Sequence, residues 1–156
     1  MTKQSLWDRL KQIYSGRLNR WSLLKGYLAT CLPFLIIFIS YALIQILEIV
    51  FGVDLLGNGL LSFVYVILGL LAFVYAGFVS LSVLIRRHHD LNQDWYYPLL
   101  IIGGLSLLSL VDTDIARLCQ GGYVLALLFI KGSEAENRYG LPDKGKNIYQ
   151  IIGLRK

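Results

Sequence analysis

Residues 60–85 read LLSFVYVILGLLAFVYAGFVSLSVLI, twenty-six positions without an Asp, Glu, Lys, Arg or His. A helix crossing the hydrocarbon of a bilayer needs roughly 20 mostly apolar residues, with about 17 to 25 tolerated. The stretch meets that length, and Arg86-Arg87-His88-His89-Asp90 closes it abruptly at one end. A second block occupies 27–51, interrupted only by Gln45 and Glu48 near its far end. Two shorter blocks follow at 95–111 and 115–130, joined by the acidic turn Asp112-Thr113-Asp114. Their length also permits one re-entrant hairpin. Two spans are the preferred reading, because Asp112 and Asp114 would be costly at the middle of a bilayer.

The whole chain agrees with these blocks. Of its 156 residues 56% are hydrophobic and only 16% charged, with a mean hydropathy of +0.58. Soluble domains average about 25% charged and under ~50% apolar residues. That balance excludes a disulfide scaffold, a disordered chain and an ordinary soluble enzyme. The expected fold is an all-α integral membrane protein with four transmembrane helices. Its organisation is a cytoplasmic N-terminal segment over 1–26, a membrane bundle over 27–131 and a basic tail over 132–156.

Basic residues orient the bundle. Six of the fifteen Lys and Arg residues precede the first span, two lie between spans two and three, and six follow span four. Only Arg117 falls elsewhere. The positive-inside rule then puts both termini and the 86–94 connection in the cytoplasm. The net charge of +5 reads as anchoring beside anionic inner-leaflet lipid, at roughly 1 kcal/mol per basic residue, and nucleic acid is not an expected partner. A charged segment of 26 residues precedes the first apolar block, so no cleaved signal is expected.

Ahead of the bundle, residues 5–15 read as an amphipathic interfacial helix. Leu6, Trp7, Leu10, Ile13 and Tyr14 make an apolar stripe opposite Arg9, Lys11 and Gln12, a pattern suited to the membrane surface. Trp21 and Trp95 fit the aromatic belt at the cytoplasmic interface. Small residues are expected to pack the helices, since lipid offers no hydrophobic drive between them. Ala72, Ala76 and Ser80 form such a stripe, with Gly103 and Gly104 in span three and Gly121 and Gly122 in span four. The same stripes could instead build a homo-oligomer. Cys31 and Cys119 belong to opposite leaflets, too far apart for a disulfide, and both are expected to be buried. Arg117 is expected to pair with Glu48 or with Asp114. Glu48 is peripheral, which argues against a multidrug-exporter type of site.

Three polar clusters stand at the cytoplasmic helix ends. Gly16-Arg17-Leu18-Asn19-Arg20-Trp21 leads into span one. Arg86-Arg87-His88-His89-Asp90 closes span two, and Leu91-Asn92-Gln93-Asp94-Trp95 opens span three. Asn137-Arg138-Tyr139-Gly140 follows span four. The candidate cluster is therefore Arg17, Arg20, Arg86, Arg87, His89, Asp90, Asn137 and Tyr139. Guanidinium groups at headgroup depth suit bidentate phosphate contacts, so the cluster could bind an anionic headgroup in a pocket roofed by Trp21 and Trp95. It could equally clamp the loops through an Arg–Asp network.

Successive residues on a helix diverge by about 100°, so His88, His89 and Asp90 cannot ligate one ion on a regular backbone. No metal or cofactor is expected, and no hydrolase or nucleotide-binding fingerprint occurs. The function expected is a non-enzymatic membrane module engaging anionic lipid or a membrane-protein partner. The alternative is an amphiphile-handling enzyme or small transporter using the same cluster.

In their order around four spans, these motifs resemble the domain of unknown function 805 family of small bacterial inner-membrane proteins. That family carries Gly-Arg-x-x-Arg with a following aromatic, Arg-Arg-x-His-Asp, a Gly-containing turn before Trp, and Asn-x-aromatic-Gly. Residues 16–142 follow the pattern. Arg86, Arg87, His89 and Asp90 match it, while His88 stands where Leu is usual and Asn92 where Gly is usual. Asn tolerates the left-handed backbone a turn needs there. The tail reads Leu141-Pro142-Asp143 where the family tends to have Asp before Pro. The resemblance implies an inner-membrane location and this helical fold, and it implies no activity.

Overall fold

The computed structural model describes residues 14–52, 54–57 and 59–144. The predicted amphipathic helix lies almost wholly outside them. Among the described residues the regular structure is helical: α1 over Arg20–Phe51, α2 over Gly59–Asp90, α3 over Tyr96–Val111 and α4 over Thr113–Phe129. The one β-type pairing there is an isolated bridge between Asn137 and Gly140. Two of the helices, α1 and α2, are long and apolar enough to cross a membrane.

Local chemistry sets the helix ends. Asn19 caps α1, its side-chain oxygen accepting from the Ser22 amide at 2.8 Å. Such a cap satisfies one of the donors a helix start leaves open. The helix continues through Pro33, as apolar membrane-type helices tolerate. At its other end, α2 runs beyond the apolar block. Arg86 to Asp90 form its last turn and a half rather than a loop. The helix closes at Asn92, whose φ of 60° is left-handed as the turn requires. There the Gln93 amide donates to the His88 carbonyl at 2.9 Å and the Asn92 amide to that of His89 at 3.1 Å, a paired helix stop. Asp112 both ends α3 and caps α4, accepting from Asp114 and Ile115 at 2.9 and 3.0 Å.

The chain divides into two compact units. The first comprises Met1–Tyr27 with Ser80–Lys156, and the second Leu28–Val79. Within the second, Tyr65 packs edge-on against Tyr41 at 5.6 Å, and its hydroxyl donates to Ser40 Oγ at 3.3 Å. Glu48 is engaged locally, accepting from Gln45 at 3.2 Å and from the Leu56 amide. The apolar core of α1 is fully outside any protein interior, and large side chains such as Phe38 and Ile49 are exposed. An apolar surface of that extent on a monomer marks a membrane or partner interface.

Within the first unit α3 and α4 pack together. Its apolar core includes Leu18, Leu23, Val83, Ile85 and Leu127, interleaved with a run of buried polar residues.

Two expectations change. Gly103, Gly104, Gly121 and Gly122 have open space where a Cβ would stand, so these glycines do not mediate close approach between α3 and α4. Cys31 and Cys119 are exposed rather than buried. Of the two partners expected for Arg117, the structure has Asp114, at 3.2 Å one turn away on the same helix.

Candidate functional site

The buried polar run is centred on Asp90. Its carboxylate takes Arg17 on one oxygen, at 3.0 Å from Nε and 2.9 Å from an Nη nitrogen. The other oxygen takes Arg87 Nη1 at 2.5 Å. Both guanidinium groups are excluded from solvent, where a charge persists only if paired and fully hydrogen-bonded.

They are. Arg17 Nη1 donates to the carbonyls of Ala135 at 2.8 Å and Gly140 at 3.1 Å. Its Nη2 also donates to the Ser133 carbonyl. A guanidinium has five N–H donors; Arg17 donates four hydrogen bonds here, and its Nη2 also lies 2.9 Å from Asp90. Arg87 donates to Leu127 at 3.0 Å, to Leu18 at 3.4 Å and to Ile130. Orphan carbonyls at the end of α4 are thereby satisfied by a side chain from α2.

Backbone bonds extend this knot. The Leu18 amide donates to Arg86 O at 3.1 Å, and the Ser133 amide to Asp90 O at 3.0 Å. Gly132 passes so near Asp90 that a Cβ there would run into the carboxylate. Asp143 accepts from the Asn19 amide at 3.0 Å, and Asn19 Nδ2 donates to the Asp143 carbonyl at 3.1 Å.

A second layer covers the first. His89 stacks on Tyr139 with ring centroids 3.8 Å apart and planes within 7°, and its Nδ1 meets the Gly16 carbonyl at 3.2 Å. Asn137 Nδ2 donates to the His89 carbonyl at 2.9 Å, while its side-chain oxygen accepts from the Tyr139 amide at 2.9 Å. The Tyr139 hydroxyl donates to Asp94 at 2.8 Å. Arg138 pairs with Asp94 at 3.1 Å and sits 4.9 Å above the Tyr139 ring. His88 is held at both nitrogens, with Gln93 Oε1 and Tyr123 Oη each at 2.6 Å.

The electrostatics follow from burial. Desolvation lowers the Arg86 and Arg87 guanidinium pKa values, opposed by Asp143 and Asp90 respectively. Burial also lowers both histidines, more than offsetting Gln93 at His88 and the Gly16 carbonyl at His89. The Tyr139 hydroxyl and then Arg138 hold Asp94 below the usual carboxylate range.

Of the eight residues picked from sequence, Arg17, Arg87, His89, Asp90, Asn137 and Tyr139 form one network. Arg86 is buried beside them, its charge facing Asp143. Arg20 is outside on the surface, lining a recess of about 190 Å³ with Lys131, Asn19 and Ser133. Trp21 and Trp95 are exposed, and Trp95 lines a recess of about 460 Å³ together with His89 and Tyr139. Sequence reasoning missed Asp143, Asp94 and Gly132, and it set His88 aside. Among the described residues no three His, Cys, Asp or Glu side chains converge as a metal site would require.

The described chain is thus an all-helical protein with two membrane-length helices and a buried Arg–Asp–Arg knot at one helix end. It belongs to the family described as protein of unknown function (DUF805), whose pattern matches residues 13–141. No curated protein and no solved structure matches it.

Proposed function

We propose that this chain is a four-span bacterial inner-membrane protein with both termini in the cytoplasm. It acts as a non-enzymatic module: the Asp90 cluster clamps its cytoplasmic segments, and outward-facing basic residues hold anionic lipid or a protein partner. The observation that carries the clamp is the engagement of all three Arg17 guanidinium nitrogens within the buried cluster. A ligand at that cluster would have to break these buried charge-assisted hydrogen bonds, at about 1.5–3 kcal/mol each. Exposed Arg20 and Lys131 carry no such constraint, although Lys131 reaches Glu134 at 2.6 Å. The apolar exterior of α1 and the one-sided distribution of Lys and Arg support the topology.

Native mass spectrometry after gentle extraction tests the division of labour. An Arg20→Ala/Lys131→Ala variant should stay folded and retain fewer phosphatidylglycerol molecules than wild type. Arg87→Ala should instead yield little folded protein. A folded Arg87→Ala variant that loses a discrete bound mass would convert the clamp into a binding site.

A further inference from the structure

The groove between α3 and α4 lies apart from the Asp90 knot and has a volume of about 440 Å³. Leu84, Ile102, Leu105 and Val124 give it apolar walls, and Ser106, Ser109, Gln120 and Tyr123 stand among them. Polar side chains in a segment of this kind mark a functional surface by default, because each needs a partner that lipid cannot supply.

The hydrogen-bonding state of each group defines what would fit. Ser106 donates its hydroxyl proton to the Ile102 carbonyl at 2.9 Å, and Ser109 donates to the Ser106 carbonyl at 2.7 Å. Gln93 presents its carbonyl oxygen to His88 Nδ1, so that nitrogen carries the proton and Nε2 accepts from the Tyr123 hydroxyl. All three hydroxyls have therefore used their protons and keep acceptor lone pairs. Gln120 makes no hydrogen bond with any described residue, and its amide offers the groove both a donor and an acceptor. The charged residue of the lining, Arg117, is exposed and neutralised by Asp114 at 3.2 Å. Tyr27, Ser80 and Thr113 add further hydroxyls to the lining, and a hydroxyl-lined, charge-compensated groove with aliphatic walls selects against ions and for hydroxyl groups on an apolar chain.

We propose that this groove binds an uncharged, hydroxyl-bearing amphiphile such as a monoacylglycerol. The ligand hydroxyls donate to Tyr123 and the two serines, and an ester oxygen accepts from Gln120. The inference rests on the membrane placement of α3 and α4. Through Tyr123 the occupant is one hydrogen bond from His88, so occupancy is felt at the cytoplasmic end of α2.

The test uses the full chain in nanodiscs with two probes of one acyl length, 1-decanoylglycerol and methyl decanoate. Affinity follows from ligand-induced change in tryptophan fluorescence. The glycerol ester should bind about tenfold tighter, the equivalent of one net hydrogen bond. Gln120→Leu, which removes only an amide without a described partner, should fold normally and weaken both esters by a similar factor, leaving the preference for the glycerol ester in place. Equal affinities in wild type, or unchanged affinity for both esters in Gln120→Leu, overturn the proposal. A Thr113→Cys variant distinguishes the two layers. If an impermeant maleimide labels it from outside and the probes still bind equally, the ligand assignment alone fails. If it is not labelled, the membrane placement fails and the proposal with it.

Discussion

Removing the Asp90 carboxylate should be among the most damaging single changes this protein can suffer. Asp90 neutralises Arg17 at 2.9 Å and Arg87 at 2.5 Å, with both guanidinium groups buried. In Asp90→Ala two cations remain inside without a counter-charge. Breaking one buried pair costs about 3–5 kcal/mol, and two charge-assisted bonds at about 1.5–3 kcal/mol each give the same range. The carbonyls around each guanidinium remain, which holds the expected loss near 4 kcal/mol rather than at twice one pair. Unfolding in mixed micelles of mild and denaturing detergent, followed by tryptophan fluorescence, measures this directly. Asp90→Leu combined with Arg87→Met should cost less than the two single changes together, because the second substitution removes a stranded charge. A loss below about 1 kcal/mol in Asp90→Ala would refute the claim that the knot holds the cytoplasmic end together.

Other consequences follow from the same geometry. Gly132→Ala drives a methyl group into the Asp90 carboxylate and should lower the midpoint of the same unfolding curve by about 1–3 kcal/mol, whereas Gly103→Ala, in open space, should change it little. Burial lowers the pKa of His88 and His89 below 6.5. The unfolded chain therefore binds more protons in that range, so stability is complete above pH 6.5 and falls as the pH drops below it. Unfolding measured from pH 7.5 to 5 should show this fall, and a His89→Phe variant should flatten part of it. Single cysteines at Gly57 and Thr113 should react with an impermeant maleimide from outside intact cells, and one at Gln93 should not; the reverse pattern would invert the topology.

The helical class and the helix positions were legible because long apolar blocks admit few alternatives. The cluster was legible in part. Arg87 and Asp90 announce themselves by falling one helical turn apart at the end of an apolar block, and Asn92 by standing where a left-handed residue is needed. The carbonyls of Leu127, Ile130 and Ser133 had no sequence signal, because a backbone acceptor is the same for every residue. Those carbonyls nonetheless decide that Arg17 and Arg87 are structural rather than free for phosphate. The glycine stripes misled for a related reason: a small side chain permits close approach but does not compel it. His88 was discounted as an addition to the family pattern, yet it is the residue that joins α4 to the turn after α2 through Tyr123 and Gln93.

In the proposed four-span topology, the single residue Asp112 between α3 and α4 has a consequence for the surrounding lipid. Helices of 16 and 17 residues are about 24 and 26 Å long, several ångströms short of a hydrocarbon layer of about 30 Å, and a one-residue link offers no slack to lengthen them. A span that is too short is accommodated by a locally thinner bilayer, at a fraction of a kcal/mol per ångström. The hairpin would therefore carry a collar of compressed lipid, and the protein would gather where acyl chains are short.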